Sequence, residues 1–208
     1  MIGREKELQF IKDGFSRFGH LRCAIVLGPE GIGKTVFLER AKELHSSKEN
    51  KSICITPDSD RYADLPSLLS SMARNISCGS HIEGNQISKF ARFYGSQLVQ
   101  IEATHRTENN SEDFNTRLAE TFVTGLEDAI IHCGLDLDEI VPLFVIDDID
   151  KIEDSAIEWL CVSFNKRIRE SSLFSKCRFL FSAKNITEKI EQFFSRFGFD
   201  KTSEVNLS

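Results

Sequence analysis

Gly28-Pro29-Glu30-Gly31-Ile32-Gly33-Lys34-Thr35 sets three glycines ahead of a lysine and a hydroxyl residue in the spacing G-x-x-x-x-G-K-[ST]. Glycines at these positions let successive backbone N–H groups turn inward around a polyanion, where a side chain would intrude. Lys34 then serves as a flexible point charge for the β- and γ-phosphates of ATP or ADP, and the Thr35 hydroxyl as a ligand for Mg²⁺. With Val36, which opens the helix that follows, these eight residues are the candidate nucleotide-binding set. A glycine-rich turn that binds nothing is the rival reading. The apolar run Cys23-Ala24-Ile25-Val26-Leu27 before the loop and the helical pattern Val36 to Leu44 after it weigh against that rival.

Magnesium nucleotide chemistry also needs an acid at the carboxyl end of a neighbouring buried strand. Asp147 and Asp148 follow the apolar residues Leu143-Phe144-Val145-Ile146. Asp147 is expected to hold Mg²⁺ through water, and Asp148 to orient or deprotonate the attacking water. Paired acids after a strand also occur as solvated loops or helix caps, and Asp150 and Asp154 read that way. A third polar group, Ser182-Ala183-Lys184-Asn185, ends another apolar run, so Lys184 or Asn185 is a candidate to sense the γ-phosphate. A polar loop after any strand looks similar.

These groups converge only if strands and helices alternate. Strands are expected at 23–27, 52–56, 141–146 and 178–183, with a further one starting at Glu204. Each of the first four is separated from the next by helical pattern, which implies a central parallel sheet with helices on both faces, an α/β three-layer sandwich. The expected helices are Glu5 to Phe18, with Leu8, Phe10, Ile11, Phe15 and Phe18 inward; Val36 to Leu44; Asp64, a candidate N-cap, to about Cys78, with Leu68, Leu69, Met72, Ala73 and Ile76 inward; and Ser111 to Cys133, striped by Phe114, Leu118, Phe122, Leu126, Ile130 and Ile131. Two more follow: a helix carrying Ile157, Trp159, Leu160, Val162, Phe164 and Ile168, and a last one from Thr187 to Arg196. Between Ser80 and Asn110 the apolar spacing reads as helical, although Leu98 to Ile101 fits a strand equally well.

The 208 residues are 40% hydrophobic and 28% charged, which suits one globular domain over 1–208. A net charge of −6 gives no global basic field, so nucleic acid is unsupported as a partner without being excluded. No apolar stretch approaches the length that spans a bilayer, and the chain reads as cytosolic. The six cysteines form no C-x-x-C pair and read as buried free thiols.

Ile2-Gly3-Arg4-Glu5-Lys6-Glu7-Leu8, the loop Gly28 to Thr35 and Leu143 to Asp150 together resemble the STAND branch of signal-transduction P-loop NTPases, with broader kinship to AAA+ and origin-recognition ATPases. The resemblance covers nearly the whole chain except 80–110, which looks like an insertion. It implies that Ile2, Gly3 and Arg4 lie near the adenine, and that ATP favours an open, homo-oligomerising state. It also implies a helical lid and sensor domains beyond the fifth strand, so the chain reads as the front part of a longer polypeptide. Relatives often carry arginine where Lys184 stands, which bears on γ-phosphate contact because lysine lacks the bidentate fork. Roles in immune-type or antiphage signalling are implied by the resemblance alone. The alternatives are an AAA+ ATPase of helicase-loader type acting on DNA, and a scaffold that kept the fold without turnover.

Overall fold

The computed structural model describes residues 4–46, 51–57, 65–78, 88–89, 92–93, 95–96, 111–132, 134–173, 176–197 and 204–207. In chain order the elements are α1 (Glu5–Gly14), β1 (Cys23–Leu27), α2 (Lys34–His45), β2 (Lys51–Ile55), α3 (Leu65–Arg74), β3 (Ile76–Cys78), α4 (Ser111–His132) and β4 (Ile140–Ile146). After a 3₁₀ turn, Ile149–Lys151, come α5 (Asp154–Trp159), a π-helical stretch (Leu160–Phe164), α6 (Asn165–Glu170), β5 (Arg178–Ala183), α7 (Glu188–Phe197) and β6 (Glu204–Asn206).

The six strands form one sheet in the order β3-β2-β4-β5-β1-β6. Neighbours are parallel from β2 through β6. Strand β3 runs antiparallel to β2, pairing Ile55 with Ile76 and Ile53 with Cys78. Alternation along each strand divides the core in two. Ile25, Ile53, Phe144 and Phe181 face one layer, built with α3 to α7, whereas Ala24, Cys54, Val145 and Leu180 face the other, built with α1 and α2. Both faces are covered, so β1, β4 and β5 are buried at every position; β1 and β4 read in sequence as continuous apolar runs, and β5 as an apolar centre, Phe179 to Phe181, between buried Arg178 and Ser182.

The expected α/β parallel architecture is therefore present, with three local corrections. Ile76 belongs to β3, not to the preceding helix, because α3 stops at Arg74 and Thr56 N–H donates to Asn75 O at 3.1 Å, drawing the chain back along β2. Helix α1 ends at Gly14. A tight turn follows, with Gly19 N–H donating to Ser16 O at 2.9 Å, and it carries Phe18 outward to 94% exposure beneath the Arg17 guanidinium. Phe10, Ile131 and Val162, placed inward by periodicity, are also exposed. The candidate cap Asp64 and most of 80–110 lie outside the described residues.

Aromatic rings knit the thicker layer. Phe144 and Phe179 are register partners on β4 and β5 and stack at 5.2 Å, and Phe164 meets both rings from the π-helical stretch. Phe181 meets Phe193 of α7 edge-on at 5.1 Å. Such pairs add about 0.5–1.5 kcal/mol beyond burial. Cys23, Cys54, Cys161 and Cys177 are buried free thiols, as expected. No helix among the described residues is long and apolar enough to cross a membrane.

Candidate nucleotide site

The glycine loop leaves β1 beside β5, with Gly28 N–H donating to Ala183 O at 3.3 Å. Gly31 and Gly33 hold φ values of 79° and 95°, the left-handed region that side chains resist. The first hydrogen bond of α2 runs from Phe37 N–H to Gly33 O at 2.9 Å, which leaves the N–H groups of Lys34, Thr35 and Val36 ahead of the helical ladder. That is the donor arrangement an anion seeks, at the positive end of the α2 dipole.

Lys34 is buried and folds back along the loop, its Nζ donating to Gly28 O at 3.0 Å and Pro29 O at 3.4 Å. Gly28 and Pro29 thus act through their carbonyls. Ile32 packs against the core on the α1–α2 side and anchors the loop from below. Glu30, Gly31, Gly33, Lys34, Thr35 and Val36 line a cavity of about 360 Å³, and Asp148, Asp150, Lys151 and Lys184 complete its wall.

Asp147 sits behind that wall as the hub. Its Oδ2 accepts from Thr35 Oγ1 at 2.6 Å, and its Oδ1 accepts from Ser182 Oγ and from Asp148 N–H at 3.1 Å. Ser182 belongs to β5, which lies between β4 and β1, so the acid and the loop are joined across an intervening strand and not through direct neighbours. The same hydroxyl accepts from Asp148 N–H at 2.8 Å. Asp148 itself adopts φ 47° and ψ 52°, alone among the described non-glycine residues in having positive φ. Aspartate visits this region at lower cost than most residues, and such outliers gather at functional sites. Its Oδ1 lies 3.9 Å from Lys34 Nζ and its Oδ2 2.6 Å from Lys151 Nζ.

The structure thus gathers Lys34, Thr35, Asp147 and Asp148, with Lys184 on the rim. Arg4 is not among the described residues lining the cavity, and Ile2 and Gly3 lie outside the described residues. Three participants carry no motif of their own. Ser182 reads in sequence only as part of a polar strand end, and its bonds to Asp147 and Asp148 depend on sheet order. Lys151 reaches Asp148 through the 3₁₀ turn, and the carboxylate raises its pKa by hydrogen bonding and charge attraction. Asp150, which reads as loop or cap, points into the wall: its Oδ1 is buried without a partner and its Oδ2 accepts from Lys184 N–H at 3.5 Å. Asp154 opens α5 and lines a separate groove.

The donor set fits a magnesium-bound polyphosphate. The loop glycines hold backbone angles that aim N–H groups at an anion, and the Thr35 hydroxyl against the Asp147 carboxylate supplies the hard oxygen donors Mg²⁺ prefers.

A family model described as an AAA domain matches residues 19–175, which takes in the glycine loop, both acids and Lys151. The chain belongs to this AAA domain family. Solved structures share the fold: Cdc6p from Pyrobaculum aerophilum, with a TM-score of 0.56 and 16% identity over 100% of this chain and 45% of that one; and the Walker-type ATPase paby2304 of Pyrococcus abyssi, with a TM-score of 0.54 and 16% identity over 100% of this chain and 53% of that one. This AAA domain spans about half the length of those two structures. No curated protein matches it.

Proposed function

We propose that this AAA domain binds ATP with Mg²⁺ and hydrolyses it slowly, acting as a nucleotide-controlled switch for other parts of its protein. The observation that carries the reading is the Thr35–Asp147 contact at 2.6 Å, which joins the end of the glycine loop to the end of a strand more than a hundred residues later. Lys34 and the α2 N–H groups bind the phosphates, and Thr35 and Asp147 would hold Mg²⁺, which would neutralise charge on the phosphate oxygens. Asp148 lines the cavity wall, from which it would orient or deprotonate a water for attack on the γ-phosphorus. ADP would occupy the same cradle without the group nearest Asp148.

Two finer roles remain from the sequence. Fold likeness to Cdc6p favours a DNA-associated ATPase of the origin-recognition kind, although the net charge of −6 gives this domain no basic field of its own. The STAND-type signalling switch, with assembly into homo-oligomers and an immune or antiphage setting, rests on the opening Gly3-Arg4-Glu5 and the paired acids. Nucleotide-dependent binding of duplex DNA by the longer protein supports the first role, and nucleotide-dependent assembly without DNA supports the second.

The direct test is calorimetry with MgATP and MgADP on residues 1–208, followed by steady-state phosphate release. Binding with slow turnover is expected. Release should rise in a longer chain that includes a lid, because closure excludes water and completes the catalytic set. Absence of nucleotide binding by the folded protein refutes the reading, and equal release rates refute the need for a lid.

A further inference from the structure

The Asp148 carboxylate lies between two ammonium groups. Lys34 Nζ stands 3.9 Å from Oδ1 and Lys151 Nζ 2.6 Å from Oδ2. On the nucleotide-binding reading, on which this inference rests, Lys34 is also the cation that meets the β- and γ-phosphates. A bound triphosphate therefore brings a second anion to the cation that Asp148 now shares. ADP does not extend as far.

The wall charges sharpen the problem. Lys34, Lys151 and Lys184 are matched by Glu30, Asp148 and Asp150, so the cavity lining is balanced only while Lys151 is counted. Without it the wall turns net negative, with Asp147 adding to the excess from behind. Like charges a few ångströms apart repel by an amount that depends on solvent access, and a nearby cation offsets the repulsion. Lys151 is aimed at this task by local backbone geometry, since the left-handed conformation of Asp148 starts the 3₁₀ turn that returns Lys151 over the carboxylate.

We propose that Lys151 is a positioning residue for the triphosphate: its ammonium is the counter-charge that lets the Asp148 carboxylate stay beside a γ-phosphate, and it thereby tunes the preference of the site for ATP over ADP. Lys151 is not a catalytic residue in this scheme. It acts through Asp148.

The experiment is calorimetric titration of MgATP and MgADP into the wild-type chain and into Lys34→Ala, Lys151→Met, Lys151→Arg, Asp148→Asn and the double variant Lys151→Met/Asp148→Asn. The Lys151 side chain is 64% exposed, so its loss should leave the fold intact by circular dichroism and thermal melting. Lys151→Met should weaken MgATP about threefold to fivefold at low ionic strength while moving MgADP little, and the difference should shrink with added salt. Lys151→Arg should keep the wild-type ATP-to-ADP ratio. Adding Asp148→Asn to Lys151→Met should restore the ratio to that of Asp148→Asn alone, because the uncompensated charge is gone. Equal weakening of both nucleotides, unchanged affinities in Lys151→Met, or a loss that Asp148→Asn does not relieve overturns the proposal while nucleotide binding stands. No binding by the wild-type chain, or binding unaffected by Lys34→Ala, overturns the nucleotide reading itself and this inference with it.

Discussion

Lys34 and Asp148 have different chemical duties in the proposed site, and single substitutions should separate them. Lys34→Ala deletes the buried ammonium that the loop carbonyls of Gly28 and Pro29 hold in place, so most MgATP affinity should vanish. Calorimetry on a variant shown to be folded checks this. Thr35→Ala and Asp147→Ala each remove one side of the 2.6 Å contact and should weaken binding chiefly when Mg²⁺ is present. Comparison of titrations with Mg²⁺ and with a chelator reads the difference. Asp148→Asn should keep nucleotide and lose turnover, since a water-orienting group acts mainly in the transition state. Asparagine is the better probe than alanine there, because it also tolerates the left-handed backbone at φ 47° and leaves the turn to Lys151 undisturbed. Single-turnover phosphate release is the measurement, and wild-type release from Asp148→Asn would remove Asp148 from the mechanism. Residue types and spacing alone make Lys34, Thr35, Asp147 and Asp148 legible as a set. Ser182 and Lys151 are not, since each matters through one partner that only the folded chain supplies.

Elements differ in how plainly the sequence announces them. Strands β1, β4 and β5 are covered on both faces, so every residue is apolar or buried and the run is visible. Strand β3 spans only Ile76–Cys78 and continues the apolar spacing of α3, and nothing local distinguishes it; pairing with β2 decides. Helix α4 shows the opposite case, where a terminator is explicit. Gly134 takes φ 68°, its N–H donating to Ile131 O at 2.9 Å and that of Leu135 to Ile130 O at 3.1 Å, the paired closure of a Schellman cap. A Cβ at Gly134 would meet no atom within 4 Å, so Gly134→Ala tests backbone strain alone and should cost about 1 kcal/mol by urea denaturation. Gly28→Ala is a packing test. Its Cβ would fall 2.9 Å from both Ile32 Cγ2 and Leu207 O, and the second is backbone that cannot swing aside. Stability should drop by about 1–3 kcal/mol, with nucleotide affinity falling beyond what unfolding explains.

The whole molecule carries a pH dependence remote from the cavity. His45, at the end of α2, is 2% exposed, donates from Nε2 to Val141 O at 3.3 Å, and leaves Nδ1 buried without a partner. Burial holds its pKa down at about 4, against an ordinary value near 6.5. The unfolded chain therefore binds the proton more readily than the native one. Its contribution is fully present above about pH 6.5 and is lost as pH falls toward 4, where at about 1.4 kcal/mol per pH unit the loss reaches roughly 3 kcal/mol. Urea midpoints measured from pH 7 to pH 4 should fall, and the slope should flatten in His45→Phe or His45→Gln. An unchanged slope in both variants would assign acid sensitivity to other groups. Sheet order belongs to this scale too, since no local signal says that β5 stands between the loop strand and the acid strand.

Strand β6 pairs beside β1, and Leu207 N–H donates to Leu27 O at 2.7 Å directly under Gly28. The floor of the glycine loop is thus laid by residues synthesised after every other part of the cavity wall. On the ribosome, Gly28 to Thr35 emerge well before that floor can dock. A nascent chain should accordingly hold nucleotide poorly until residue 207 is free to pair, and ligand present in the cell would then favour that pairing over the earlier steps in folding of this domain.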